Sequence, residues 1–248
     1  MRVLPLPPEQ ARIMASTLRG ATPKNQLLAA VPQPDFEQFF ADLEPLSLSF
    51  KQVIYEVGDP LEWVYFIEQG VVSVLTAMAN GATIEVGMIG SEGVVGIAAL
   101  LGARYQSQRN VVQVPGTALQ MKAAACKAAF EQSAAVRALM LRFTTSVIDI
   151  GAQSAACNRL HSIEQRCARW LLMARDRHGD NVLPMTHEFM ATMLGVRRAG
   201  VTETVGELQR SGLIRNHRGA LTIVDGDGLE AAACECYLVD RERLRRLI

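Results

Sequence analysis

The 248-residue chain has no apolar run of 18 residues, and its opening stretch, MRVLPLPPEQ, is broken by proline. Neither a membrane span nor a secretion signal is expected, which points to the cytoplasm. Net charge is also missing: 25 Lys and Arg stand against 25 Asp and Glu. Without a whole-chain basic signature, any nucleic-acid footprint has to be local. Cysteine is scarce and odd in number, with five residues scattered apart from Cys234-Glu235-Cys236. That argues against a disulfide framework and for reduced thiols. Histidine is absent before His161, and residues 1–160 hold only Cys126 and Cys157. A four-thiolate iron–sulfur cluster is therefore excluded there, and a histidine-ligated haem has no ligand. No nucleophile–histidine–acid set has local support, and Gly87-Met88-Ile89-Gly90 lacks the strand–helix context of a phosphate loop. No enzyme is expected.

What is present is globular: 49% hydrophobic residues with 20% charged, and length for two modest domains. Residues 1–30 read as a loose or marginally helical extension. Over residues 31–133 short β-type runs alternate with turn signals: Gln52–Val57, Trp63–Ile67, Val71–Leu75, Thr83–Met88, Val111–Val114 and Ala118–Met121. Runs this short and even predict an antiparallel roll or barrel, with Asn80-Gly81 as a hairpin turn. Residues 134–161 contain no proline and one glycine, and read as one long helix. Met140, Phe143, Val147, Ile150, Ser154, Cys157 and His161 recur along it by three and four, the spacing of a parallel dimer seam. Ser162 with Gln165 then forms a capping box for a helix ending at Gly179.

The segment MTHEFMATMLGVRRAGVTETVGELQR (Met185–Arg210) carries the sharpest signal. Met190 and Leu194 share one short helix face, Ala191 leaves room for a crossing helix, and Gly195 sits where a left-handed residue ends a helix. Val201, Val205 and Leu208 then repeat at helical spacing, leaving Arg197, Arg198, Gly200, Thr202 and Glu203 on other faces. This is the spacing of a helix-turn-helix whose second helix suits a DNA major groove. Leu213–Asn216 and Ala220–Val224 flank Arg218-Gly219 as a wing. A last helix is expected from about Gly228 to Ile248, its Arg241, Arg243, Arg245 and Arg246 facing solvent. Residues 162–248 thus form a winged helix-turn-helix domain with a C-terminal helix. From Pro184 to Gly219, five Arg face three Glu, with two His, a weakly positive balance.

The stretches YEVGDPLEWVYFIEQGVVSVL (Tyr55–Leu75), RNVVQVPGTAL (Arg109–Leu119) and THEFMATMLGVRRAGVTETV, followed by QRSGLI, resemble the CRP/FNR family of bacterial transcription regulators over roughly residues 35–248. The resemblance implies an α+β fold. An antiparallel, cupin-like β-roll of the cyclic-nucleotide-binding type comes first, then a dimerisation helix, then the winged helix-turn-helix. It implies a homodimer on a two-fold-related double-stranded DNA operator, with RNA polymerase as a partner and no membrane. The family's phosphate-contacting threonine matches Thr186, beside His187, and its base-reading arginine matches Arg198. Arg197 and Arg218 are placed for phosphate. The acidic residue that follows in the family is Ala199 here, and the later basic residue is Glu203, so a different operator sequence is implied.

The ligand side departs further from the family. Where cyclic-nucleotide binders present Gly-Glu for the ribose, this chain has Gly96-Ile97. Where they present Arg-Ser or Arg-Thr for the phosphate, it has Arg109-Asn110. The polar pair that meets adenine corresponds to Gly151-Ala152. An effector site around Glu92, Gly96, Ile97, Arg109, Asn110, Gly151 and Ala152 is therefore not expected to take cyclic AMP, and Arg109 paired with Glu92 or Glu85 is its alternative use. The effector stays unnamed and no cofactor is assigned. Other readings remain open: a sensory module acting through protein partners, or a thiol- or metal-responsive regulator of the same fold. Cys157 and His161 lie one helical turn apart, and Cys234-Glu235-Cys236 would complete a zinc-type set, but no spacing ties the two pairs together. Packing thiols and an interchain disulfide at Cys157 are the competing uses, and no metal site is assigned.

Overall fold

Two long strands organise the N-terminal half. In the computed structural model, which describes residues 23–40 and 43–247, α1 (Gln26–Ala29) and α2 (Gln33–Phe40) precede β1 (Glu44–Leu48) and β2 (Val53–Tyr55). The expected N-terminal extension lies mostly outside the described residues. Then come β3 (Trp63–Ala77), β4 (Thr83–Ile89), β5 (Val94–Val95) and β6 (Arg109–Lys122). The antiparallel sheet runs β1-β6-β3-β4, with β2 paired to β6 and β5 to β3. The runs Trp63–Ile67 and Val71–Leu75 are one strand, and so are Val111–Val114 and Ala118–Met121. Gly70 and Pro115-Gly116, which read as turns in the sequence, are irregularities inside that pair, where the register shifts. The reason is close approach. A Cβ on Gly116 would lie 2.0 Å from the Gln69 carbonyl oxygen, and one on Gly70 2.5 Å from that of Val114. Glycine lets the two backbones touch while the sheet bends. Asn80-Gly81 does form a tight turn, with Gly81 at φ +82° and the Met78 amide donating to the Ala82 carbonyl.

After β6 come α3 (Ala123–Gln132) and the 27-residue α4 (Ala134–Leu160), its start capped by the Ser133 hydroxyl. Helix α5 (Ile163–His178) opens with the Ser162/Gln165 capping box and ends at Gly179 in the left-handed region. β7 (Val182–Leu183), α6 (His187–Leu194), α7 (Arg198–Arg210), β8 (Ile214–His217) and β9 (Ala220–Ile223) complete a winged helix-turn-helix, its three strands ordered β7-β9-β8. The single closing helix of the sequence reading is two helices, α8 (Gly226–Ala232) and α9 (Cys236–Arg245), broken where Ala233 turns extended. The break places both cysteines of the Cys-x-Cys pair at a joint.

The fold is α+β and has two main cores. Phe66, Ile67, Val72, Leu119 and Met121 fill the roll together with Met140 and Phe143 from α4. The second core joins the halves of the chain: Leu171, Leu172, Met190, Val205, Leu208 and Tyr237 pack with Val71, Leu75 and Met88 of the roll.

Candidate DNA interface, sensor chamber and thiol cluster

The reading head is built by caps and turns. The Thr186 hydroxyl accepts from the Phe189 amide, starting α6, and Gly195 at φ +64° ends it. Val201, Val205 and Leu208 are buried, so Arg198, Ala199, Thr202 and Glu203 lie on the exposed side of α7. Arg197 precedes that helix and Arg218 occupies the tip of the wing, both exposed. Gly200 is half-buried, its Cα facing Ile163 across the helix crossing. His187 ties these parts together: Nδ1 lies 3.1 Å from the Thr202 hydroxyl, and Nε2 lies 3.1 Å from the Asn216 side-chain amide on β8. A neutral imidazole with its proton on Nδ1 satisfies both contacts, and the Thr202 hydroxyl in turn donates to the Arg198 carbonyl. His187 and Thr202 are thus positioning groups within the head, whereas Arg197, Arg198, Glu203 and Arg218 present free termini. Nothing in the local spacing of these residues announces this chain of contacts.

The roll holds the head directly. A Cβ on Gly195 would lie 2.7 Å from Ile84 of β4, so the helix-turn-helix turn is seated on the sensor sheet. Buried Arg166 of α5 donates to the Leu194 carbonyl, closing the end of α6. The Trp170 indole donates to Glu85 at 2.8 Å, and Arg177 donates to Glu92 at 2.7 Å with both side chains nearly inaccessible. Burial pushes the Glu85 carboxyl up to about 7, against the smaller opposing pull of the nearby Ser73 hydroxyl and the Trp170 indole.

These partners correct the reading of the sensor residues. Arg109 pairs with neither Glu92 nor Glu85 but with Glu56, at 3.0 Å near the surface. Asn110 is buried and accepts from the Gln106 side-chain amide. Gly96 adopts φ +91° against the Trp63 carbonyl, and Ile97 packs on the roll core. Ala152 faces outward. The structure therefore brings only Glu92 and Gly151 of that set together, in a chamber of about 160 Å³ between β4 and α4. Its walls are mostly apolar: Val86, Met88, Phe143, Val147, Ile150 and Leu244.

The long helix needs a second correction. Met140, Phe143, Ile150, Ser154 and Cys157 are buried within the chain, against the roll and the C-terminal helices, and Val147 borders the chamber. They are not available to a partner. A different row is exposed: Ala134, Ala138, Leu141, Thr145, Ile148, Ala152, Ala155 and Arg159. These also alternate by four and three. Two heptad-like rows lie on opposite faces of one helix, and periodicity alone could not tell which turned inward.

At the far end of α4, Cys157 and His161 meet Cys234 and Cys236 across the joint between α8 and α9, and their ligand atoms all lie within 4.8 Å of one another. Cys157 Sγ is 3.5 Å from Cys234 Sγ, and Cys236 Sγ is 3.6 Å from His161 Nδ1. Cys157 is therefore not poised for an interchain disulfide. A hydrogen bond from Cys234, further bonding from His161 and the nearby Arg169 charge hold the Cys157 thiol well below its ordinary value. The same contact raises Cys234, and burial raises Cys236.

The sequence matches two family models, the cyclic nucleotide-binding domain over residues 45–133 and the Crp-like helix-turn-helix domain over residues 165–232. Among curated relatives, the global nitrogen regulator of Nostoc sp. is 25% identical over 182 residues, covering 69% of this chain and 81% of that protein. The transcriptional regulator SdrP of Thermus thermophilus is 38% identical over 61 residues, 25% of this chain and 30% of that protein. The solved structure of FixK2 from Bradyrhizobium japonicum shares the fold with a TM-score of 0.67 at 15% identity, covering 77% of this chain and 98% of that one. The chain thus carries a cyclic nucleotide-binding domain followed by a Crp-like helix-turn-helix domain, joined by the long helix, and in this order of parts it is similar to transcription regulators of the CRP/FNR family.

Proposed function

We propose that the protein acts as a homodimer that binds a two-fold-related DNA operator, with α7 in the major groove and the wing tip at Arg218 against the backbone. The observation that carries this is the exposed, basic opening of α7 on a head whose other contacts are internally satisfied. Arg198 is the base reader, able to grip guanine O6 and N7 in bidentate fashion. Arg197 and Arg218 serve phosphates, and Thr186 presents its helix N-terminus to another. The partner chain docks along Leu141, Thr145, Ile148, Ala152 and Ala155. Leu141 and Ile148 are large apolar side chains left 45% and 66% exposed, and the alanines that follow in the same row, Ala152 and Ala155, permit close helix approach.

The chamber under α4 is the sensor site in this reading. Its apolar walls suit a small, mainly apolar effector. They do not suit cyclic AMP, because Arg109 lies outside the chamber, engaged with Glu56. Selection of binding sequences from a random duplex pool tests the operator reading. Enrichment of a two-fold motif with half-sites about 10 base pairs apart is expected, and enrichment of nothing overturns it. Sub-micromolar binding of cyclic AMP by calorimetry would overturn the sensor assignment.

A further inference from the structure

We infer that Cys157, His161, Cys234 and Cys236 form a tetrahedral zinc site that clamps the long helix to the C-terminal helices of the DNA-binding domain. The geometry carries it. With Zn–S near 2.3 Å and Zn–N near 2.0–2.1 Å, a tetrahedron has S···S edges of about 3.8 Å and S···N edges of about 3.5 Å. The two contacts across the cluster are 3.5 Å for Cys157–Cys234 and 3.6 Å for Cys236–His161. A polynuclear iron–sulfur cluster spreads its thiolates over different irons, whereas these four donor atoms all lie within 4.8 Å of one another, close enough to share a single ion. Three thiolates and an imidazole are soft, nitrogen–sulfur chemistry, which zinc prefers to magnesium or calcium.

The surroundings are those of a metal centre as well. His161 turns Nδ1 to the cluster and Nε2 to the Glu235 carboxylate at 3.3 Å, so the carboxylate fixes the ring with its free nitrogen inward. The Gln153 amide donates to Cys236 Sγ at 3.0 Å. Arg166 and Arg169 act electrostatically on Cys157 and Cys234, and each keeps a buried Nε without a hydrogen-bond partner. Zinc with three thiolates carries one net negative charge, which these guanidiniums offset. The three cysteines are almost fully buried, while the His161 side chain is 17% exposed and provides the entry. Binding exchanges one zinc ion for up to three thiol protons and involves no electron transfer. Four protein donors leave no open coordination position, so the site is structural or regulatory and not hydrolytic.

Its place in the chain gives it a task, which rests on the operator-binding reading above. His161 caps α4 directly before Ser162 opens the DNA-binding domain, and the other two ligands lie at that domain's final joint. Occupancy therefore sets the angle at which the reading head leaves the long helix.

The test uses the full chain purified under reducing conditions. Elemental analysis should return one zinc per chain. Replacement by cobalt(II) should give the visible bands and near-ultraviolet thiolate charge-transfer band of a tetrahedral thiolate site. Cys234→Ser and Cys236→Ser should each abolish that spectrum, while Cys126→Ala, remote from the cluster, should keep it. Circular dichroism confirms that each variant is folded. Glu235→Ala should leave the spectrum but weaken metal affinity by about tenfold in a chelator competition. No retained metal and no cobalt spectrum in folded, reduced protein would overturn the site. A Cys157–Cys234 disulfide formed in preference to metal binding under the same conditions would do so too. Removing zinc from the loaded protein should weaken binding to the selected operator about 5- to 150-fold. Equal operator affinity with and without metal would overturn the clamp. Metal binding with no DNA binding at all would count against the operator reading and leave the site standing.

Discussion

Glu85 sits on β4 at the contact between roll and head, 9% exposed. One carboxylate oxygen takes the Trp170 indole at 2.8 Å, and the other is buried without a partner. Burial raises its protonation point from the ordinary 4.5 to about 7. The folded chain thus binds a proton there that the unfolded chain has released, and stability falls as pH rises between those two values. Above the upper value the whole cost of a buried carboxylate is present, about 3 kcal/mol. Glu85→Gln keeps an acceptor for Trp170 and removes the charge. The variant is expected to be more stable than the parent by about 3 kcal/mol near pH 8, and the gap to narrow to under about 1 kcal/mol near pH 5. Urea unfolding of both proteins at the two pH values, followed by tryptophan fluorescence, measures the difference. A gap that stays constant across pH, or a parent that gains stability towards alkaline pH relative to the variant, would refute the argument.

Arg198→Ala should weaken the selected operator by about 1–3 kcal/mol in fluorescence anisotropy while changing random DNA little, whereas equal losses would make it a phosphate contact. Leu141→Glu together with Ile148→Glu places like charges along the proposed seam, so a monomer is expected by analytical ultracentrifugation, and a persistent dimer would require another interface. Arg177→Leu leaves Glu92 buried without its partner and should cost about 3–5 kcal/mol in thermal or urea unfolding. Adding Glu92→Leu should restore most of that loss if the cost is the stranded charge.

Local chemistry is what the sequence exposed well. Gly195, Ser162 with Gln165, and Asn80-Gly81 do their work through backbone dihedrals and neighbours within four residues, so spacing sufficed to find them, whereas Thr186 came from the family resemblance and its capping role from the structure. Gly70 and Pro115-Gly116 misled because glycine serves a turn and a close strand crossing equally well, and only the partner strand decides between them. The long helix misled for a related reason. Its Met140–Phe143–Ile150 row and its Leu141–Ile148 row both follow helical periods, and only the fit against the roll separates them, as at Gly93, where a Cβ would meet the Phe143 ring at 2.6 Å. Glu85 with Trp170, Glu92 with Arg177, and Cys157 with Cys234 are separated by 85, 85 and 77 residues, and nothing local announces such pairs.

The turn at Gly195 has a consequence for how this regulator can vary. Asparagine often replaces glycine where a helix must end in the left-handed region, because its side chain tolerates that backbone. At this position the same substitution would drive a Cβ into Ile84. The dihedral requirement and the volume requirement meet at one residue, so a side chain there would have both to adopt the left-handed backbone and to turn the end of Ile84 aside. Sensor sheet and reading head are in this sense machined to a common tolerance. Ile84 of β4 thus bears on the turn three residues before α7 begins.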